Sequence, residues 1–441
     1  LVSFSKITSI QNGALNNAPF FKKIVKIQRD VIMKIKLLSA VIALTCSYPA
    51  FAGTLTAEQQ LGESLYKDKN LSLNRNQSCE TCHSLTPAYT SKTPQGLVPS
   101  FVDVTNMKKG TAVSTGSDTK LTGSLNAPTV AYAKFSPELH WNEEQQLYIG
   151  GQFWNGRAKD LTEQAGKPIL NPVEMAMPDE LAVVARLQEN PIYVEQFKQL
   201  YKSDLNNTSA LSVQKIYTQL ASAISAFEQS AVFNKFNSKF DYALFGKTQL
   251  NATEKKGLAL FQGKAKCSAC HTIDITVDEH GNMIPPVFTD FSYDNVGTPR
   301  NVNIPNNPEP DLGLGGRTDI ENSAAELGKH KVMTLRNIAL TAPYGHNGVF
   351  KTLEQIVHFY NTRDTLKKVA NNNSPQFGKT AWAEPEISEN VNTEELGNLE
   401  LTAQEERAIV AFLKTLTDDY PAWGKDANVP SGTPSPFNFK N

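Results

Sequence analysis

Cysteine is scarce in this chain, with five in 441 residues, too few to staple a fold of this length with disulfides. Histidine is nearly as sparse, at seven. The apolar run near the start, Leu37 to Cys46, is too short to span a bilayer, which takes roughly 20 residues. Positive charge is not in excess either: 43 Lys+Arg stand against 44 Asp+Glu, a formal net charge of −1. Nucleic acid and anionic membrane surfaces both call for basic patches, so neither is expected as a partner.

What cysteine there is, is concentrated. Four of the five fall in two copies of one pattern, Cys79-Glu80-Thr81-Cys82-His83 and Cys267-Ser268-Ala269-Cys270-His271. Two thiols three positions apart, followed at once by an imidazole, form the pattern for covalent c-type haem attachment. The thiols add across the haem vinyl groups and the histidine takes an axial position on iron. A zinc site would need four ligands converging on one ion. These pairs lie 188 residues apart and each carries its own histidine. A redox dithiol would not need that histidine. The reading is a di-haem cytochrome, with all four thiols consumed by haem.

The beginning of the chain predicts export. Met33-Lys34-Ile35-Lys36 is basic, Leu37 to Cys46 is apolar, and Ala50-Phe51-Ala52 is a small-x-small cleavage site. Together they read as a secretory signal peptide cleaved after Ala52, with residues 1–32 an upstream segment outside fold reasoning. A lipid anchor on Cys46 is disfavoured by the bulk of Thr45 at the preceding position. Removing residues 1–52 takes away seven basic and one acidic residue, leaving a net charge of −7. That suits a periplasmic protein with no membrane span that meets a partner protein.

The rest of the chain predicts a mostly α fold, two tandem cytochrome c-like haem domains with long loops. Thr56-Ala57-Glu58-Gln59 reads as a capping box before a helix through Leu61, Leu65 and Tyr66. Thr253-Glu254 opens a second helix, through Gly257, Leu258 and Phe261, shortly before Cys267. A helix, a loop and a haem motif, repeated, suggest duplication. A long helix is expected over Leu211 to Phe233, with Ile216, Leu220, Ile224 and Phe227 on one face. A linker follows at Asn234 to Lys239. Thr402 and Glu405 cap a last helix through Ile409, Val410, Phe412 and Leu413. Domain boundaries are placed at 53–235 and 236–425, with a tail over 426–441. Long loops are expected at Ser84–Gly123 and Asp274–Lys329, both rich in turn-forming residues.

Several segments carry a resemblance. Gln152-Phe153-Trp154-Asn155-Gly156-Arg157-Ala158-Lys159-Asp160 continues to Asn171-Pro172-Val173-Glu174-Met175. Later come Thr334-Leu335-Arg336-Asn337, Thr341-Ala342-Pro343-Tyr344-Gly345-His346 and His358-Phe359-Tyr360-Asn361-Thr362-Arg363-Asp364. With both haem motifs in order, these resemble the bacterial di-haem cytochrome c peroxidase superfamily, and within it the MauG-like branch. The resemblance implies that the haem on Cys79, Cys82 and His83 is the peroxide-binding one. Glu174 would stand over its iron, with Gln164 and Pro168 in the same distal pocket. Trp154 would lie between the haems and carry electrons. Asn126, with the carbonyls of Thr341 and Pro343, would match a calcium site, and oxygen-only ligation suits a hard cation. Read without the family, Glu174 is a loop carboxylate and Trp154 a core aromatic.

Two departures bear on the branch. Many members of the superfamily carry a histidine after the first haem motif that caps the resting iron. Between Ser84 and Glu138 this chain has none, so the first haem is expected to rest five-coordinate. His140, the next one along, reads as a surface or core residue. The second departure lies fourteen residues beyond His346, where other members place methionine and this chain has Tyr360. Leu353, Ile356, Val357 and Tyr360 also make a plain buried helix face, and Met333, Met283 and His358 stay open as ligands of the second haem, held by Cys267, Cys270 and His271. A phenolate favours oxidised iron, and axial ligation moves haem potentials over roughly 0.8 V.

The resemblance thus implies an enzyme that reacts with hydrogen peroxide in its diferric form, makes a bis-ferryl state across Trp154, and oxidises aromatic residues, tryptophan above all, on a periplasmic partner protein. The alternative is a conventional cytochrome c peroxidase fed by a small cytochrome or cupredoxin. A plain electron-transfer cytochrome is the third class. Lys264-Ala265-Lys266, before the second haem motif, offers no aromatic as an electron exit.

Overall fold

Sparse strand signals correspond to sparse strands. The computed structural model describes residues 55–87, 98–99, 101–277, 281, 283–305 and 307–437. The expected signal peptide and mature start lie outside these. Residues from Leu55 onward form one unit by their contacts. In chain order the helices are α1 (Ala57–Lys67), α2 (Cys79–Cys82), α3 (Val104–Lys109), α4 (Leu161–Leu170), α5 (Glu180–Gln188), α6 (Pro191–Tyr201) and α7 (Ala210–Glu228). Then follow α8 (Lys239–Leu244), α9 (Ala252–Gln262), α10 (Leu353–Thr362), α11 (Ala403–Lys414) and α12 (Tyr420–Trp423). Among the described residues, the strands form only two-stranded pairs. β1 (His140–Asn142) pairs with β2 (Leu147–Ile149), β3 (Thr276–Val277) with β4 (Met283–Ile284), and β5 (Tyr293–Asp294) with β6 (His330–Lys331), all antiparallel. β7 (Lys367–Val369) runs parallel to β8 (Ala381–Ala383). The fold is mostly α, as expected.

Two helix crossings of the same design organise the packing. The Thr56 hydroxyl accepts from the Gln59 N–H while the Gln59 side chain accepts from the Thr56 N–H, closing the predicted capping box. The helix it starts, α1, buries Leu61, Gly62, Leu65 and Tyr66 against α7. At Gly62 a Cβ would stand 1.9 Å from the Ala223 carbonyl oxygen and 2.9 Å from the Phe227 Cβ. The crossing is repeated by α9 on α11: at Gly257 a Cβ would stand 1.9 Å from the Ala408 carbonyl oxygen and 2.8 Å from the Phe412 Cβ. Backbones approach this closely only where a side chain is missing. Each crossing sits in its own apolar cluster. One gathers Leu61, Tyr66, Ile216, Leu220 and Phe227; the other gathers Phe261, Phe288, Phe412 and Trp382.

Helix ends differ from expectation where side chains outbid the hydrophobic pattern. The second-motif helix starts earlier than Thr253, because Asn251 and Glu254 close a capping box around its first turn. The long helix α7 stops at Glu228 rather than Phe233. There Asn234 donates its amide to the Glu228 and Ser230 carbonyls, and Phe233 turns back into the first core, edge-on to Tyr66 and Phe227. The stretch expected as a linker is packed: Asn234, Phe236 and Ser238 are all buried. Helix α11 begins where Thr402 and Glu405 predict.

A buried ion pair ties the two apolar clusters. Arg336 and Asp241 are both fully buried, 2.6 Å apart, and the rest of the guanidinium donates to the Pro286 carbonyl. Beside it, Tyr132 and Asn337 donate to Asp418 at 2.8 Å. Burial pushes the Asp418 carboxyl up to about 6, with Arg336 opposing.

The crossings make a direct prediction. Gly62→Ala and Gly257→Ala force a methyl into a backbone carbonyl, so each is expected to cost at least the ~1–3 kcal/mol of an overpacked core in chemical unfolding. Wild-type stability in both variants would mean that the helices do not meet at these residues.

Candidate haem-binding active site

Two cavities flank Trp154. The first is lined by Cys82 and His83 from the end of α2, Gln164 and Pro168 from α4, and Asn171 and Glu174 from the loop after it. Cys79 is one turn before Cys82 on α2 and packs against the first core. The second cavity is lined by Cys267, Cys270, His271, Met333 and Tyr360. Trp154 and Asn126 line both, and the Trp154 indole N–H donates to the Asn126 carbonyl at 2.8 Å.

The chemistry of each motif fits haem. Burial pushes the Cys82 and Cys267 thiols up to about 12. A redox dithiol or a thiolate site works the other way, through a lowered thiol pKa. Both histidines are held neutral by burial, with carbonyls of Phe101 and Pro128 beside His83 and of Phe288 and Met333 beside His271. His271 sets its Nδ1 2.9 Å from the Phe288 carbonyl. A proton on that nitrogen leaves Nε2 as a free lone pair, the second-shell arrangement that orients an iron-ligating imidazole.

The opposite wall of each cavity is asymmetric. In the first, Glu174 accepts from the Asn171 amide at 2.7 Å. Burial raises its carboxyl, and Arg157 and the Asn171 bond pull the other way. Arg157, which the sequence reading quoted but gave no role, stacks 3.5 Å from the Phe153 ring centre and lines the same cavity. In the second cavity Tyr360 is carried in from α10. Burial drives its hydroxyl well up, Cys270 and Asp294 add to this, and Arg363 opposes. Met283 is half exposed on β4, away from the cavity. Both ring nitrogens of His358 are engaged, by Glu406 and the Lys379 carbonyl. Tyr360 and Met333 are what remain of the four candidate side chains. His140 is exposed on β1 with Nδ1 at the Glu138 carbonyl and lines neither cavity.

The expected calcium residues converge, with a difference. Asn126, Thr341 and Pro343 line one cavity, but the Asn126 amide nitrogen donates to the Pro343 carbonyl at 2.6 Å. A hard cation needs oxygens there, so the amide would have to turn over. Lys264 pairs with Glu405 at 3.1 Å, and Lys266 lines the second cavity.

Sequence reasoning missed a polar cluster beside Trp154. The His330 and His346 rings stack at 3.5 Å and 4°. His330 Nε2 lies 3.1 Å from Asp311, and the Trp154 ring centre is 6.4 Å from that of His346. Burial lowers His346 to about 4, with His330 adding to the effect. Burial acts to raise Asp311, but the His330 bond holds its carboxyl well below the usual range. Nothing in the local sequence foretells this meeting, since the residues come from β6 and two separate loops.

The profile of the di-haem cytochrome c peroxidase family matches residues 56–249. Methylamine utilization protein MauG of Paracoccus denitrificans is 38% identical over 364 residues, covering 81% of this chain and 88% of that protein. Cytochrome c551 peroxidase of Nitrosomonas europaea is 32% identical over 380 residues, covering 86% and 85%. Among solved structures, the diheme peroxidase BthA from Burkholderia thailandensis has a TM-score of 0.68 at 26% identity, covering 87% of this chain and 91% of that one. A MauG-like protein associated with microbial copper homeostasis has a TM-score of 0.58 at 26% identity, covering 88% and 99%. The chain belongs to the di-haem cytochrome c peroxidase family. It is therefore an enzyme of peroxidase or oxidoreductase type, and the family's two c-type haems fit the two motifs.

A pyridine haemochrome assay is expected to give two c-type haems per chain. Replacing Cys267 and Cys270 together by Ala should leave one. Two haems retained in that variant would refute attachment at the second motif.

Proposed function

We propose that the protein is a periplasmic MauG-like enzyme that spends the two oxidising equivalents of hydrogen peroxide on aromatic side chains, tryptophan above all, of a partner protein. The observation that carries this is the pairing of Glu174 in one cavity with Tyr360 in the other, Trp154 lining both. When bound, the two haem irons supply the site of peroxide cleavage and the store of oxidising equivalents.

The side chains divide the remaining work. Cleaving the O–O bond heterolytically requires a proton to move from one peroxide oxygen to the other, and a positioned carboxylate can carry it. Glu174 is suited, because burial raises its carboxyl from the ordinary range, so that it can both take up and give back a proton, while the Asn171 amide fixes its orientation. As the carboxylate it would take a proton from one oxygen of the peroxide and return it to the departing oxygen, which leaves as water. Gln164 and Pro168 narrow the approach. Trp154, pinned through its N–H, gives electrons a short path between the cavities. Tyr360 would hold the iron of the second site through its phenolate oxygen, which favours the oxidised state. Electrons drawn from a docked partner close the balance, two for each peroxide. Asn126, Thr341 and Pro343 would hold a calcium ion through oxygens once the Asn126 amide turned over. The export signal read in residues 33–52 supports a periplasmic location for this chemistry.

A second reading, peroxide reduction with electrons from a small cytochrome or cupredoxin, is favoured by Met333, which also lines the second cavity, and by the relative named cytochrome c551 peroxidase.

Hydrogen peroxide added to the as-isolated diferric protein, without reductant, separates the two. Rapid loss of the ferric bands with a new near-infrared band is the expected result. No reaction until one haem is reduced would sink the MauG-like reading. Glu174→Gln, which keeps shape and loses the transferable proton, is expected to slow that first step by about 10²–10⁴-fold in stopped-flow; an unchanged rate would remove Glu174 from the proton path.

A further inference from the structure

Lys331 sits on β6 and is 6% exposed. Its ammonium donates to the Ser136 hydroxyl at 2.5 Å and to the Gly151 carbonyl, and lies 5.3 Å from the centre of the Phe291 ring. Among the described residues no carboxylate pairs with that ammonium. Proteins rarely bury a charge that nothing pairs, and two neutral acceptors leave one of its three N–H donors unspent.

Where this cation lies is informative. Among the described residues, Lys331 is the single ionisable side chain common to the linings of both cavities. Its backbone N–H donates to the Trp154 carbonyl at 2.8 Å, so the shared cation and the shared indole are fixed to one another. Any haem brings two propionate carboxylates, which are anions that a desolvated ammonium would pair with strongly. We propose that Lys331 is the common counter-ion of the two haems, neutralising propionate charge where the two pockets adjoin and so raising both reduction potentials together. This rests on both cavities holding haem. A positive charge near iron favours the ferrous over the ferric state, and one placed between two irons acts on both. The competing role is a strut that only secures Ser136 and Gly151.

Optical redox titration of the holoprotein tests it, with Lys331→Met, Lys331→Gln and Lys331→Arg beside wild type after haem content has been measured. In both neutral variants the ferric-to-ferrous ratio at fixed potential is expected to rise about tenfold at both haems, ~59 mV for a one-electron couple, while Lys331→Arg keeps both near wild type. Should the Met variant fail to load haem, Gln carries the test, since it retains polar contact with Ser136 and Gly151. Unchanged potentials in the neutral variants, a shift at one haem alone, or an Arg shift as large as that of Gln would each overturn the proposal. Fewer than two haems in wild type would instead refute the reading beneath it.

Discussion

The Arg336–Asp241 pair is the contact on which the rest of the arrangement depends. Both groups are fully buried, and a buried charge that loses its partner costs about 3–5 kcal/mol. The pair therefore fixes its surroundings tightly. It ties Asp241 of α8 to the segment leading out of β6, and Asn337 carries the tie on to Asp418 and Tyr132. That same segment supplies Lys331, Val332, Met333 and Thr334 to both cavities. Holding Arg336 thus holds the wall between the haem sites.

On either side of that wall, the two glycine crossings set up equivalent ground. Each lets two helices meet backbone to backbone, α1 on α7 and α9 on α11, and each is followed in the chain by a Cys-x-x-Cys-His motif. The equivalence ends at the opposite walls of the cavities. The carboxyl of Glu174 lines one cavity, and Tyr360 lines the other. From two similar halves the chain builds two different environments, which is what an enzyme needs if one iron meets peroxide while the other stays closed.

Between them lies a narrow polar and aromatic junction: Trp154 bonded to Asn126, His346 stacked on His330, and Lys331 bonded across to Ser136 and Gly151. Charge here is unusually well insulated from water. A charge buried at such a point is little screened by salt.

Much of this was legible in the residue order. Covalent haem attachment depends on contiguous residues, so Cys-x-x-Cys-His announces itself, as do the local capping boxes at Thr56 and Thr402. The helical periodicity of α7 was visible too, but not its end, because Asn234 and Phe233 stop it through contacts outside the repeat. Glu174, Trp154 and Tyr360 were identifiable only through a resemblance; by local pattern they are a loop carboxylate, a core aromatic and a helix-face residue. Asp311, His330 and His346 could not be foreseen, nor could Lys331, an ordinary lysine in sequence that turns out to be buried between two cavities. The sequence by itself determined the two haem attachments and the mostly helical class, since both rest on short-range spacing. Only the tertiary structure decided which charges lie between the haem sites, because burial and pairing are properties of segments brought together from far along the chain.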